Sequence, residues 1–205
     1  MRYLLIVISI ISYGALAQTP LKLPEIEGPI KTASYPKGWE SLIGSPDIVE
    51  GEGIWNNEKY TLDHITGEHA GESMVWLMCV RPSGYEGMQT TVNGLTIGEL
   101  YSVSINWQQC AMMLEDERMY WGGDLLMIVD GVEHIFKSEG VHDDWQTATV
   151  EFTAKSKSVT VGVQMFNPDY DKKSRWGGCI VVDDADPCVN CPAAEIVKAI
   201  REAGG

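Results

Sequence analysis

The clearest pattern in the chain is two-residue alternation of apolar and polar positions. Glu99 to Trp107 sets Tyr101, Val103, Ile105 and Trp107 on one face and Ser102, Ser104 and Asn106 on the other. Val159 to Phe166 repeats the pattern, with Val159, Val161, Val163 and Met165 against Thr160 and Gln164. Thr147 to Ala154 alternates too, placing Val150 and Phe152 together. Period-two alternation is the mark of a strand with one face on a core and one in water. Other runs are apolar without alternation: Ser73 to Val80, Leu125 to Val129 and Ile180 to Val182. Their length and flanking turn residues suit buried strands. Asp130-Gly131 predicts a hairpin that returns through Val132 to Phe136, and Asn93-Gly94 marks a turn after the short run Gln89 to Val92.

Many short strands separated by turns predict an all-β fold, an antiparallel β-sandwich of jelly-roll type. Two phrases share a plan: Trp121-Gly122-Gly123 leads through an apolar run to Asp130, and Trp176-Gly177-Gly178 leads through Ile180-Val181-Val182 to Asp183-Asp184. Glycine allows the turn that opens each run. Nothing around the two phrases repeats, so they are local hinges and not domain repeats. The region 18–37 carries Pro20, Pro24, Pro29 and Pro36, which argues for an entry arm with at most an edge strand near Glu25 to Ile30. A short C-terminal helix is predicted over Ala193 to Ala203, with Pro192 at its start, Gly204 at its stop and Ile196, Val197 and Ile200 on one face. The expected layout is a leader at 1–17, the arm at 18–37, the sandwich at 38–186 and a cysteine-containing helical tail at 187–205.

The leader reading rests on Arg2, the apolar run Leu4 to Ile11 and the small-residue site Ala15-Leu16-Ala17, the plan of a secretory signal peptide. A span needs about 20 apolar residues, and this run is shorter. The expected product is secreted and extracellular. Its formal charge is −14, and loss of Arg2 makes it more negative still. Nucleic acid and anionic membranes are therefore excluded as partners, since both are bound through Lys and Arg. Export permits disulfides among Cys79, Cys110, Cys179, Cys188 and Cys191. Cys79 and Cys110 lie on predicted strands and could bridge them, while Cys188 and Cys191 would staple the tail. Five is odd, which leaves a thiol free or a candidate disulfide-linked dimer.

Several phrases occur in a telling order. Gly38-Trp39 precedes Gly44-Ser45-Pro46-Asp47-Ile48, and Leu95 to Ser104 follows. Asp130-Gly131 then ends a strand, and Trp145 leads to Thr149 to Ala154. Ser158 to Val163 comes next, and Val182-Asp183-Asp184 closes the set. Over roughly 38–184 this order resembles the galactose-binding-like jelly rolls, the superfamily that includes many carbohydrate-binding modules. The resemblance implies a two-sheet sandwich, usually without catalysis, that binds a sugar on a sheet face or at loop tips. It also implies a structural calcium where the first and last strands meet. Asp183 or Asp184 stands at the late position of that site. The family's early Asn-Gly-x-Phe-Glu phrase is missing, and Glu25 or Glu27 would replace its glutamate.

Sugar recognition needs flat apolar faces for ring C–H groups and amides for hydroxyls. Trp39, Trp76 and Trp107 fall on apolar faces and read as core. Tyr120, Trp121, Tyr170 and Trp176 lie in polar, glycine-flanked stretches and are candidates for stacking on a ligand or for sealing the sandwich ends. Asn106, Gln108 and Gln164 are the candidate hydrogen-bonding residues of a sheet face. Enzyme signatures are weak: His64 and His69 lack the spacing of the helical zinc motif, and no Gly-x-Ser-x-Gly is present. The sequence points to a secreted, non-catalytic, lectin-like module for a glycan or glycoprotein. The alternative is an extracellular structural or protein-interaction module.

Overall fold

The computed structural model describes residues 18–50, 60–63, 73–80, 84–114, 117–120, 123–138, 145–167 and 176–185, with backbone placement alone for 60–63, 79–80, 111–114, 117–120 and 176–177. The predicted leader and the predicted C-terminal helix lie outside the described residues. Among those described, every regular element is a strand. The first five are β1 (Thr19–Pro20), β2 (Glu40–Ile43), β3 (Asp47–Glu50), β4 (Tyr60–Asp63) and β5 (Ser73–Val80). Next come β6 (Gly84–Tyr85), β7 (Gly87–Asn93), β8 (Leu100–Gln109), β9 (Ala111–Leu114) and β10 (Glu117–Tyr120). The last are β11 (Asp124–Val129), β12 (Val132–Phe136), β13 (Gln146–Thr153), β14 (Ser158–Phe166) and β15 (Trp176–Asp184).

They form a two-layer β-sandwich. One sheet runs β13-β8-β15-β5-β3, with β1 beside β8 and β6 beside β5; the other runs β12-β11-β14-β7-β2. A small third sheet orders β10-β9-β4. All pairings are antiparallel except that of β1 with β8. The chain changes sheet repeatedly, from β2 to β3, β6 to β7, β7 to β8, β12 to β13, β13 to β14 and β14 to β15, which is the connectivity of a jelly roll.

The alternating strands behave as their pattern requires. Tyr101, Val103, Ile105 and Trp107 of β8 meet Val159, Val161, Val163 and Met165 of β14 in one core between the sheets. Two of the non-alternating strands, β5 and β15, are buried on both faces. Val75 and Leu77 of β5 and Ile180 and Val182 of β15 enter that core, while Met74, Trp76 and Val181 on the opposite face are equally inaccessible. Two-sided burial removes any need for polar alternation, so these segments read as continuous apolar runs. Trp39 and Trp107 belong to the inter-sheet core, and Trp76 is buried on the other side of its sheet.

The proline-rich arm is a strap across one open end of the sandwich. Leu21 N–H donates to Ser102 O at 2.7 Å, Gly28 N–H to Ser73 Oγ at 3.0 Å, and Lys31 bridges Ile48. Leu23 and Ile26 drop from it into the core. Trp39 Nε1 donates to Pro24 O at 3.1 Å, which fastens the strap to the second sheet. Gly38 has φ +91°, and a Cβ there would press on the Pro24 ring at 2.9 Å.

The structure corrects the expected cysteine pairing. Cys110 is bonded to Cys179, with Cα atoms 5.7 Å apart. The neighbour of β8 in the sheet is β15, not β5, so Cys110 stands opposite Cys179 and away from Cys79.

Ile26 is 1% exposed at the centre of the strap. Replacing it by alanine is expected to remove about 2–4 kcal/mol of stability, measured as a lower urea midpoint at unchanged m-value.

Candidate functional site

Strand register decides which segments share an end of the sandwich. Asp124, which opens β11, pairs with Phe166, which ends β14. Trp176, which opens β15, pairs with Val80 at the end of β5, and Val80 pairs with Gly84 of β6. Tyr120, which ends β10, pairs with Ala111, one residue beyond Cys110. The connections that carry Tyr120, Trp121, Tyr170 and Trp176 thus start or finish on the same rim. Trp121 and Tyr170 lie outside the described residues, and Tyr120 and Trp176 are described by backbone alone.

Local packing fixes the glycine that ends each Trp-Gly-Gly phrase. Gly123 is fixed from two sides: its carbonyl accepts from Gln109 Nε2 at 2.8 Å, and an added Cβ would lie 2.6 Å from Met165 Cε. Gly178 has φ +142° and sits at a bulge, where the register of β15 shifts between Trp176 and Gly178. Cys179 faces Met78 and Ile180 faces Leu77, so even-numbered residues of β15 hold the core row. The bulge inserts one residue and puts Trp176 opposite Val80, on the row of Met78 and Trp76. The Cys110–Cys179 bridge lies between the ends of β8 and β15 and ties together the strands that lead to Tyr120 and Trp176.

The same rim holds a described aromatic pair. Tyr85 and Phe166 have ring centroids 6.2 Å apart, and Tyr85 OH donates to Asn167 O at 3.0 Å. Tyr35 OH donates to Gly44 O at 3.2 Å on the neighbouring turn.

The candidate amides are not brought together. Asn106 and Gln108 lie on the outer face of the β8 sheet, and Gln164 lies on the outer face of the other sheet, opposite Gly87 and Leu126. Asn106 is engaged locally: it accepts from Thr147 Oγ1 at 2.8 Å and donates to Asp184 O at 3.2 Å. Gln108 is 1% exposed, and Gln164 is half-buried.

The candidate calcium residues are neighbours in part. Asp184 Oδ1 accepts from Ile26 N at 3.3 Å, so the segment with Glu25 and Glu27 does reach the last strand. Both glutamates are nevertheless exposed on either side of buried Ile26, and Glu25 pairs with Lys22 at 3.8 Å. Asp183 is buried, with Oδ1 accepting from Asp184 N at 2.7 Å. Among the described residues no three His, Cys, Asp or Glu side chains gather as a metal set. In the structure Asp184 holds the strap by capping a peptide N–H.

The sequence pattern gave no sign of Glu86. It is 5% exposed, and its Oε2 accepts from Met78 N at 3.0 Å. It stands in Gly84-Tyr85-Glu86-Gly87, a stretch with the composition of a solvated turn.

The chain matches no protein-family model, and comparison with curated proteins finds no match. Among solved structures it is similar to a family 61 carbohydrate-binding module in complex with β-1,4-galactotriose, at 12% identity over 72% of this chain and 86% of that one, TM-score 0.37. It is also similar to the family 22 xylan-binding domain of Paenibacillus barcinonensis Xyn10C, at 10% identity over 78% and 87% of the two chains, TM-score 0.37. A third similarity is to the enzymatically active domain of bacteriophage CBA120 tailspike protein 4, at 8% identity and TM-score 0.39. It covers 72% of this chain, which spans 18% of the length of that one.

Asp184→Ala is expected to cost about 1–2 kcal/mol through loss of the cap on the strap. Calcium or a chelator is expected to leave the thermal midpoint of the unaltered protein in place. A midpoint raised several degrees by calcium, and no longer raised in Asp184→Ala, would instead assign an ion to this junction.

Proposed function

We propose that the protein is a secreted, non-catalytic glycan-binding module whose ligand meets the rim that carries Tyr120, Trp121, Tyr170 and Trp176. One observation supports this above others: register brings the described strand ends that flank these residues to a single end of the sandwich, beside the Tyr85–Phe166 pair. Aromatic faces supply the apolar area that sugar rings cover, and polar rim groups supply hydroxyl partners. The ordered phrases that resemble galactose-binding-like jelly rolls agree with this reading, and the two-sheet sandwich is the architecture they imply.

A glycan array probed with the mature protein is expected to show selective binding. Trp121→Ala and Trp176→Ala are each expected to weaken that binding about tenfold or more, as loss of a buried aromatic anchor does, with near-unchanged thermal midpoints. Binding unaffected by both substitutions would move the ligand away from this rim, and an array without any binder would end the glycan reading.

A second reading, an extracellular interaction module joined through cysteine, is favoured by one count. The Cys110–Cys179 bond leaves Cys79, Cys188 and Cys191, again an odd number. A dimer band on non-reducing gels that disappears with Cys188→Ser or Cys191→Ser is the expected result of that reading, and a monomer band counts against it.

A further inference from the structure

The sheet built from β12, β11, β14, β7 and β2 ends at β12, and among the described residues nothing pairs with the outer edge of that strand. Two observations show which of its peptide groups face outward. Asp130 and Gly131, with φ of +51° and +78°, make a two-residue turn, so Val129 and Val132 are the hydrogen-bonded pair that closes the hairpin. Asp130 N donates to Thr160 O of β14 at 3.0 Å, so the even residues of β11 serve β14 and the odd ones serve β12. Bonding alternates residue by residue along an antiparallel ladder. Val132, His134 and Phe136 therefore spend their N–H and C=O groups on β11, and the peptide groups of Glu133, Ile135 and Lys137 point away from the sheet. Ser138 N keeps the alternation by donating to Asp124 Oδ1 at 3.2 Å.

Sheet edges are ordinarily blunted by cover, bulges, proline or charge. The edge at β3 is covered, since Ile48 exchanges both peptide bonds with Lys31 of the strap. The edge at β2 is bulged between Ser41 and Ile43. Strand β12 has neither device: its register is unbroken, it contains no proline, and Val132 and Ile135 are 50% and 47% exposed. Its charges are of both signs. Glu133 and Lys137 are exposed in the row of Ile135, one on each side of it, and neither has an ion-pair partner among the described residues. Against an unrelated strand these charges blunt the edge, and against a second copy they match.

We propose that two copies of this chain associate through β12, edge to edge and antiparallel, with the two-fold axis at Ile135. In that register Glu133 of each copy lies opposite Lys137 of the other, and Ile135 lies opposite itself. These are the residues whose peptide groups point outward, so each facing pair exchanges both ladder bonds. Registers centred on His134 or Phe136 keep the ladder but set Glu133 or Lys137 against Ile135. The other layer's edge strand β13 offers no such match, because Glu151 is the only charged residue within its bounds. The paired strands run in opposite directions, so the rims of the two copies face opposite ways.

The contact joins two five-residue strands and is small and reversible, so sedimentation equilibrium is followed up to about 1 mM protein, with a reductant present. The unaltered protein is expected to pass from monomer to dimer as concentration rises. Glu133→Lys alone and Lys137→Glu alone each put like charges in both facing pairs, and each is expected to weaken association about tenfold or more. The double variant Glu133→Lys/Lys137→Glu restores both pairs and is expected to recover the dimer, as is an equimolar mixture of the two single variants. A protein that stays monomeric over this range would overturn the proposal. So would a dimer indifferent to the single variants, or one that neither the double variant nor the mixture recovers. Amide hydrogen exchange reads the same contact without any substitution. Protection at Glu133, Ile135 and Lys137 is expected to rise with concentration, while Val132, His134 and Phe136 keep the protection that β11 already gives them. A uniform response along the strand would refute the pairing. The reductant separates this dimer from a cysteine-linked one, and neither readout depends on whether the rim binds a glycan.

Discussion

Burial of β5 and β15 on both faces is the constraint on which the rest of this fold depends. Most sandwich strands bury one face and leave the other to water. Here Val75, Leu77, Ile180 and Val182 fill the space between the sheets, and Met74, Trp76 and Val181 are just as inaccessible on the far side. Peptide groups in the middle of such a layer can only pair within the sheet. Both strands must therefore stay central, flanked by β8 and β3, and the chain has to reach them from the rim. The Cys110–Cys179 bond reinforces the β8–β15 boundary, where a slip by one residue would turn the core row outward.

This arrangement also places charge where water is scarce. Asp47, Glu86 and Asp183 are buried carboxyl groups in a chain whose net charge is already −14. Each is engaged by a peptide N–H, from Ala33, Met78 and Asp184 respectively. For Glu86, burial outweighs the peptide donor and raises the carboxyl above its ordinary range.

Much of this was legible in the residues. Alternation marked β8 and β14 to within a residue or two, and the Asp130-Gly131 turn marked the β11–β12 hairpin, where both residues take positive φ. The short strands β2 and β3 were hidden because each has four residues and Gly44-Ser45-Pro46 dominates the stretch between them. Strand β15 was read as Ile180 to Val182, since Trp176-Gly177-Gly178 has the composition of a turn although it pairs through a bulge. Period two tells which residues share a face, but not which sheet that face belongs to. Asn106 and Gln164 fit one pattern and lie on opposite sides of the molecule. The burial of Glu86 depends on Gly44, Ser45 and Met78, from two segments brought together only by the closed fold.

The bulge at Trp176 separates two things that usually change together, the length of a loop and the identity of the strand residue that follows it. Between Asn167 and Trp176 the chain can lengthen or shorten without altering which row Trp176 occupies, because that row is set downstream by Gly178 and the pairing of Cys179 with Met78. A rim built this way keeps one aromatic position constant while the segment beside it varies. It can therefore diversify its loops by insertion and deletion, with the core register untouched.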